Sequence, residues 1–160
     1  MYDFKTAIKL NRLLIIVLII GAIGYVLSSS ESKQINHMMT GLSIKPDMPS
    51  DVESMEIRLQ GTINKNLVTG YHFNGKMYIR GEEYNIGKQK IIKLENGKEE
   101  NMGQIYFDKD ISKVAILIGN WYSGDGTLII APAYVRTDAV EIANSILDAY
   151  LKDHQIDPID

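Results

Sequence analysis

The chain has 160 residues, 17 of them basic and 20 acidic, a formal net charge of −3 and no cysteine. That length holds one packed domain and a short extension, hardly two. The acidic balance argues against nucleic acid and anionic lipid headgroups as partners. The missing cysteines exclude a lipoprotein leader and a thiol nucleophile, and fit a bacterial exporter that makes little use of disulfides.

Residues 1–12 set Lys5, Lys9 and Arg12 against Asp3, just before the uncharged run Leu13–Leu27. At ~1.5 Å per residue that run covers about 22 Å, and Leu10 with Ser28–Ser30 extends it to the ~20 residues that cross a bilayer core. It has no polar face, unlike a core helix. The basic flank keeps the N-terminus cytoplasmic and sends the rest across the membrane. The expectation is a single-pass cell-membrane protein of the envelope, with residues 1–12 cytoplasmic and 13–30 a transmembrane anchor. The competing reading is a signal peptide, whose cleavage would leave a secreted domain, although no A-x-A site follows the run.

Residues 31–53, with Pro46 and Pro49, read as a stalk or linker, with room for a short strand at Met38–Ile44. From Ser54 the period becomes two: Met55, Ile57, Leu59 and Ile63 alternate with Glu56, Arg58, Gln60 and Thr62, a half-buried strand with one wet face. Asn74-Gly75 and Asn96-Gly97, each flanked by β-prone residues, predict hairpin turns. Asp108–Asp110 turns the chain into KVAILIG, and the Gly-rich segment Gly119–Gly126 links it to TLIIA. Both strands lack alternation, so both faces should be covered.

A closing helix is predicted over 138–153, with Asp138 as N-cap and Glu141 completing a capping box. Its apolar stripe runs through Ala139, Ile142, Ala143, Ile146, Leu147, Tyr150 and Leu151. The DPID tail should fray. The expected fold is α+β: an N-terminal transmembrane helix, then an extracytoplasmic domain over 54–160. That domain is a mainly antiparallel sheet of seven or eight strands, or a partly open barrel, covered by the C-terminal amphipathic helix.

No group of residues points to a reaction. His37, His72 and His154 have no ligand spacing, so no metal site is expected. Ser123 lies outside a strand–elbow–helix context. Asp108-Lys109-Asp110 begins like a calcium loop but has Lys113 and Gly119 where glycine and glutamate belong. Gly119 and Gly124 lack the Lys-Ser/Thr of a phosphate loop. The chain is therefore read as no enzyme, without catalytic residues or cofactor, a hydrolase being the third choice.

The surviving candidate is the loop carrying Asn120, Trp121, Tyr122, Ser123 and Asp125. An aromatic pair among small polar residues suits a glycan platform or a protein hot spot, whereas a lone tryptophan beside apolar strands also caps cores. The polar strand face Glu56, Arg58, Gln60, Thr62 and the patch Tyr78–Tyr84 read as edge protection. The leading expectation is a membrane-anchored extracytoplasmic binding or interaction module of accessory, immunity or envelope type. It is held to the membrane by Leu13–Leu27 and meets a protein partner on its outer, membrane-proximal face. The alternative is a ligand or cell-wall-glycan sensor working through Trp121 and Tyr122.

Overall fold

A computed structural model describes residues 15–21, 24, 31–45, 48–66, 70–108, 111–122 and 126–160. Alternating apolar and polar residues build β1 (Glu31–Lys45), β2 (Met48–Asn66), β3 (Gly70–Ile79), β4 (Glu82–Gly87), β5 (Lys90–Glu95), β6 (Lys98–Phe107), β7 (Val114–Ile118) and β8 (Thr127–Ala131), followed by helix α1 (Arg136–His154). Each strand pairs antiparallel with the next, and β8 returns to β1 through Leu42–Ile44 against Leu128–Ile130. The sheet is a closed eight-stranded meander barrel. Closure removes most of the edges an open sheet would expose.

Eight strands enclose a space that side chains can fill. Here they fill it with Ile57, Leu59, Phe73, Met77, Ile91, Ile105 and Ile116. The other face of β1, β7 and β8 carries a second cluster: Leu42, Ile44, Ala115, Leu117, Leu128 and Ile130 pack under Ala139, Ala143, Leu147 and Leu151 of α1. Strands β7 and β8 are thus apolar on both faces for the expected reason. One face lines the barrel and the other lies beneath the helix.

Residues 31–53, expected as a stalk, are β1 and the start of β2, paired from Glu31↔Lys65 to Lys45↔Met48. The Ser, Lys and Asn that suggested a linker are the wet alternate positions of a long strand. Among the described residues, Glu31–Met39 pair with β2 alone, and Gly70–Asn74 of β3 likewise. The first three strands therefore run past the barrel wall as a flap.

Asn74-Gly75, expected as a turn, lies inside β3, and the reason is close approach. Gly75 faces Gly61 across the β2–β3 ladder. A Cβ on Gly75 would come within 2.6 Å of Gly61 Cα, and one on Gly61 within 2.7 Å of Gly75 Cα. The chain turns instead at Arg80-Gly81, then at Lys88-Gln89 and at the expected Asn96-Gly97. All six of these residues have φ between 50° and 81°. Two-residue hairpins need φ > 0 at both positions, and Lys88-Gln89 meets that need without glycine or asparagine. Left-handed backbone costs an L-residue about 1–2 kcal/mol, partly offset by glycine's greater unfolded freedom. Gln89→Gly should therefore raise stability by ~0.5–1 kcal/mol, measured as a higher urea midpoint at unchanged slope.

Helix α1 starts two residues earlier than expected. Val135 is its N-cap and makes no side-chain cap hydrogen bond; Asp138 sits in the first turn, where its charge favours the helix dipole. At the other end Gln155 is left-handed. Its N–H donates to Lys152 O, and Ile156 N–H donates to Leu151 O at 2.9 Å, a Schellman closure.

The tail does not fray. Ile159 is buried in the outer cluster, its N–H donating to Asn144 Oδ1 and its carbonyl accepting from Asn144 Nδ2, both at 2.9 Å. Arg136 Nη2 adds a 2.7 Å bond to the main-chain oxygen of Asp160. Asn144→Ala leaves two partly buried backbone groups unmatched, and should cost about 1–3 kcal/mol, measurable by thermal unfolding.

Residues 15–21 are helical, and Ile15–Ile20 are each more than half exposed. Among the described residues, no helix is long and apolar enough to cross a membrane. The expected cytoplasmic residues 1–12 and most of the rest of the 13–30 span lie outside the described residues.

Candidate binding site at the barrel mouth

The two ends of the barrel differ. At the end where β6 passes to β7, Asp108 organises the connection: its carboxylate accepts from Ser112 Oγ at 2.6 Å and from Lys113 N–H at 3.0 Å. These bonds close the connection as a turn. It swings Ile111, held at φ 56°, into the inner cluster, where the side chain plugs the barrel. A β-branched residue with positive φ is a strained choice, and this one closes the floor.

The opposite end is open. Among the described residues, it gathers the ends of β1, β2, β3, β4, β7 and β8 around a cavity of about 510 Å³. Strand alternation decides who lines it. Ser43 and Lys45 of β1, Asp51, Glu53 and Met55 of β2, Glu82 and Tyr84 of β4, and Thr127 and Ile129 of β8 are all i, i+2 sets on inward faces. Ile79 and Ile118 complete an apolar floor with Met55, Tyr84 and Ile129. The β4–β5 ladder covers only Asn85–Gly87 against Lys90–Ile92, so the wall parts beside Glu82 and Tyr84. A second cleft of about 470 Å³ shares Glu53, Met55 and Arg80 with the mouth and runs outward over Arg58 and Tyr78.

The rim is charged but internally matched. Lys45 pairs with Asp51 at 3.1 Å and Arg80 pairs with Glu53. Glu82 accepts from Tyr84 Oη at 2.8 Å and from Lys93 Nζ at 3.0 Å. The Tyr84 hydrogen bond first, then Lys93, holds the Glu82 carboxyl below the ordinary glutamate range. Burial and then the Glu82 bond push the Tyr84 phenol up. A carboxyl lowered in the folded state stabilises above its unfolded value, and that contribution is lost as pH falls through the folded value. Tyr84→Phe should accordingly move the Glu82 titration upward, followed by carboxyl NMR shifts.

The loop singled out in the sequence stands apart from the mouth. Trp121 is 2% exposed and belongs to the outer cluster beneath α1, while Tyr122 is 52% exposed. Their rings meet edge to face at 5.9 Å. Asn120 lines a separate groove with them, and Ser123 and Asp125 lie outside the described residues. His37 and His72 sit on the flap and His154 stacks on Tyr150 at 4.1 Å. Among the described residues, no three potential ligands gather for a metal.

The mouth itself was missed in the sequence because no strand contributes more than three residues to it. The legible signal was apolar Met55, Ile79 and Ile129 closing into polar residues at strand ends. No family model, curated protein or solved structure matches this chain.

Proposed function

We propose that this protein is a single-pass, membrane-tethered extracytoplasmic binding module that receives a polypeptide segment of a partner protein at its barrel mouth. One observation carries the reading: a cavity of about 510 Å³ with an apolar floor and a self-neutralised rim, open at one barrel end only among the described residues. A floor of Met, Ile and Tyr suits an apolar side chain of the partner. Matched charges around it suit a peptide backbone and its flanking polar groups more than a strongly charged ligand. The cleft continuing over Arg58 and Tyr78 gives an extended segment a path across the rim.

The tether is supported by the uncharged run Leu13–Leu27, its basic flank and the exposure of Ile15–Ile20. β1 begins immediately after Ser28–Ser30, at the end of the barrel away from the mouth. A chain anchored by that run holds its flap toward the bilayer and its mouth away from it. The partner surface we propose is thus membrane-distal, in place of the membrane-proximal face expected from the sequence. The test is a photo-cross-linking residue in place of Thr127 in the full chain, in native membranes, with the same residue at exposed Glu141 on α1 as control. A partner joined from Thr127 and not from Glu141 is expected. Equal yields from both, or a partner from Glu141 alone, would remove the mouth from the account.

A further inference from the structure

We infer that the groove on the outer wall between β6, Gly119–Tyr122 and α1 is a second site, built for an uncharged saccharide. It has a volume of about 300 Å³ and is lined by Asn101, Gln104, Asn120, Trp121, Tyr122 and Tyr150, with small and apolar residues between them. None of its described lining residues carries a charge, in a chain where 23% of residues do. A charged ligand would find no counter-charge among them. A sugar presents apolar C–H faces and hydroxyls that both donate and accept, and this groove offers aromatic rings and carboxamides that do the same.

The aromatic rings are braced rather than loose. Tyr106, Tyr150, Trp121 and Tyr122 form a continuous run with centroid separations of 5.5, 6.2 and 5.9 Å. Tyr122 stands at 89° to the buried indole and keeps half of its surface open, the arrangement of a rigid stacking platform. Gln104 Oε1 accepts from Tyr106 Oη, which fixes the carboxamide and leaves its N–H groups as donors. The Trp121 Nε1–H, part of a groove-lining side chain, is buried and has no hydrogen-bond partner among the described residues. A buried donor left unmatched costs about 1–3 kcal/mol. A hydroxyl seated in the groove would relieve that cost after a small shift of the ring. The volume suits roughly one or two sugar rings. The groove shares no lining residue with the mouth, so the inference stands independently of the peptide site.

Because Trp121 is the chain's only tryptophan, its emission reports this groove alone. The experiment titrates the full chain, in a detergent without a sugar headgroup, with chitotriose and with maltotriose as neutral probes and trigalacturonate as the charged one. The expected result is a saturable emission change with a neutral trisaccharide at roughly millimolar concentration. Tyr122→Ala, exposed enough to fold normally, should weaken it by at least about tenfold at unchanged Tm. Glu53→Gln at the mouth should leave it unaltered. No saturable change with either neutral probe, an identical response in Tyr122→Ala, or a response to trigalacturonate alone would each overturn the inference.

Discussion

Trp121→Ala is expected to lower the unfolding free energy by about 3–5 kcal/mol, the range for removing a large buried aromatic. The indole is 2% exposed, shares the outer cluster with Leu117 and Leu128 of the barrel wall, and lies 6.2 Å from the Tyr150 ring of α1, in the cluster that fastens the helix. Its loss opens a cavity where the helix meets β7 and β8, and neighbours held by strand ladders cannot collapse into it. Thermal unfolding of Trp121→Ala beside Tyr122→Ala checks this. The neighbouring Tyr122 is half exposed, so its removal should stay within about 0.5 kcal/mol. An unchanged Tm for Trp121→Ala would mean that the indole does not hold α1 to the barrel.

Gly103→Ala is the second large effect, and here the expected outcome is a chain that does not keep its barrel. Strand β6 carries one residue more than β5 between Ile91↔Gly103 and Ile92↔Asn101, so Met102 is a bulge. The bulge bends β6 around the barrel, and Met102 O accepts from Gly119 N–H at 3.0 Å. Gly103 then passes so close to β7 that an added Cβ would fall 1.8 Å from the carbonyl oxygen of Leu117 and 3.1 Å from Ile118 Cα. Those are main-chain atoms of the β6–β7 ladder, which no rotamer change can move aside. The loss should exceed about 4 kcal/mol, a large part of the 5–15 kcal/mol that holds an ordinary domain together. Gly87→Ala, with nothing within 4 Å of its added methyl, is the control and should be close to neutral. Soluble yield and amide dispersion of the two variants decide the matter.

Local chemistry was legible where one residue type answers one geometric need. Asn96-Gly97 accepts φ > 0 twice and is a turn; the stripe from Ala139 to Leu151 is a buried helix face; KVAILIG and TLIIA are covered on both sides. The misreadings share a cause, which is that long-range packing reused a local signal. Gly75 looks like half of a turn, but its partner is Gly61 on the neighbouring strand. Lys88-Gln89 carries no turn signature because closure of the barrel imposes the conformation. Residues 31–53 look like a linker because a strand with one wet face, paired on one side only over Glu31–Met39, contains the same polar residues. Asp138 has the identity of a cap but lies inside the first turn, and the tail is ordered by Asn144, fifteen positions before Ile159. Of the proposed sites, the groove was half visible through Trp121 and Tyr122. The mouth needed the register of six strands, which no local window contains.

The membrane tether and the outward mouth form the core of the account, and the cysteine-free chain allows a direct measurement. One cysteine is placed at Lys98, beside the mouth-end turn between β5 and β6, and in a second variant at Asp3. Intact cells are treated with a membrane-impermeant maleimide, and both proteins are then recovered from carbonate-washed membranes. A tethered chain with an outward mouth is labelled at Lys98→Cys in intact cells and at Asp3→Cys only after lysis, and both forms stay in the membrane fraction. Labelling of Lys98→Cys only after lysis, or its release into the soluble fraction, would contradict that arrangement.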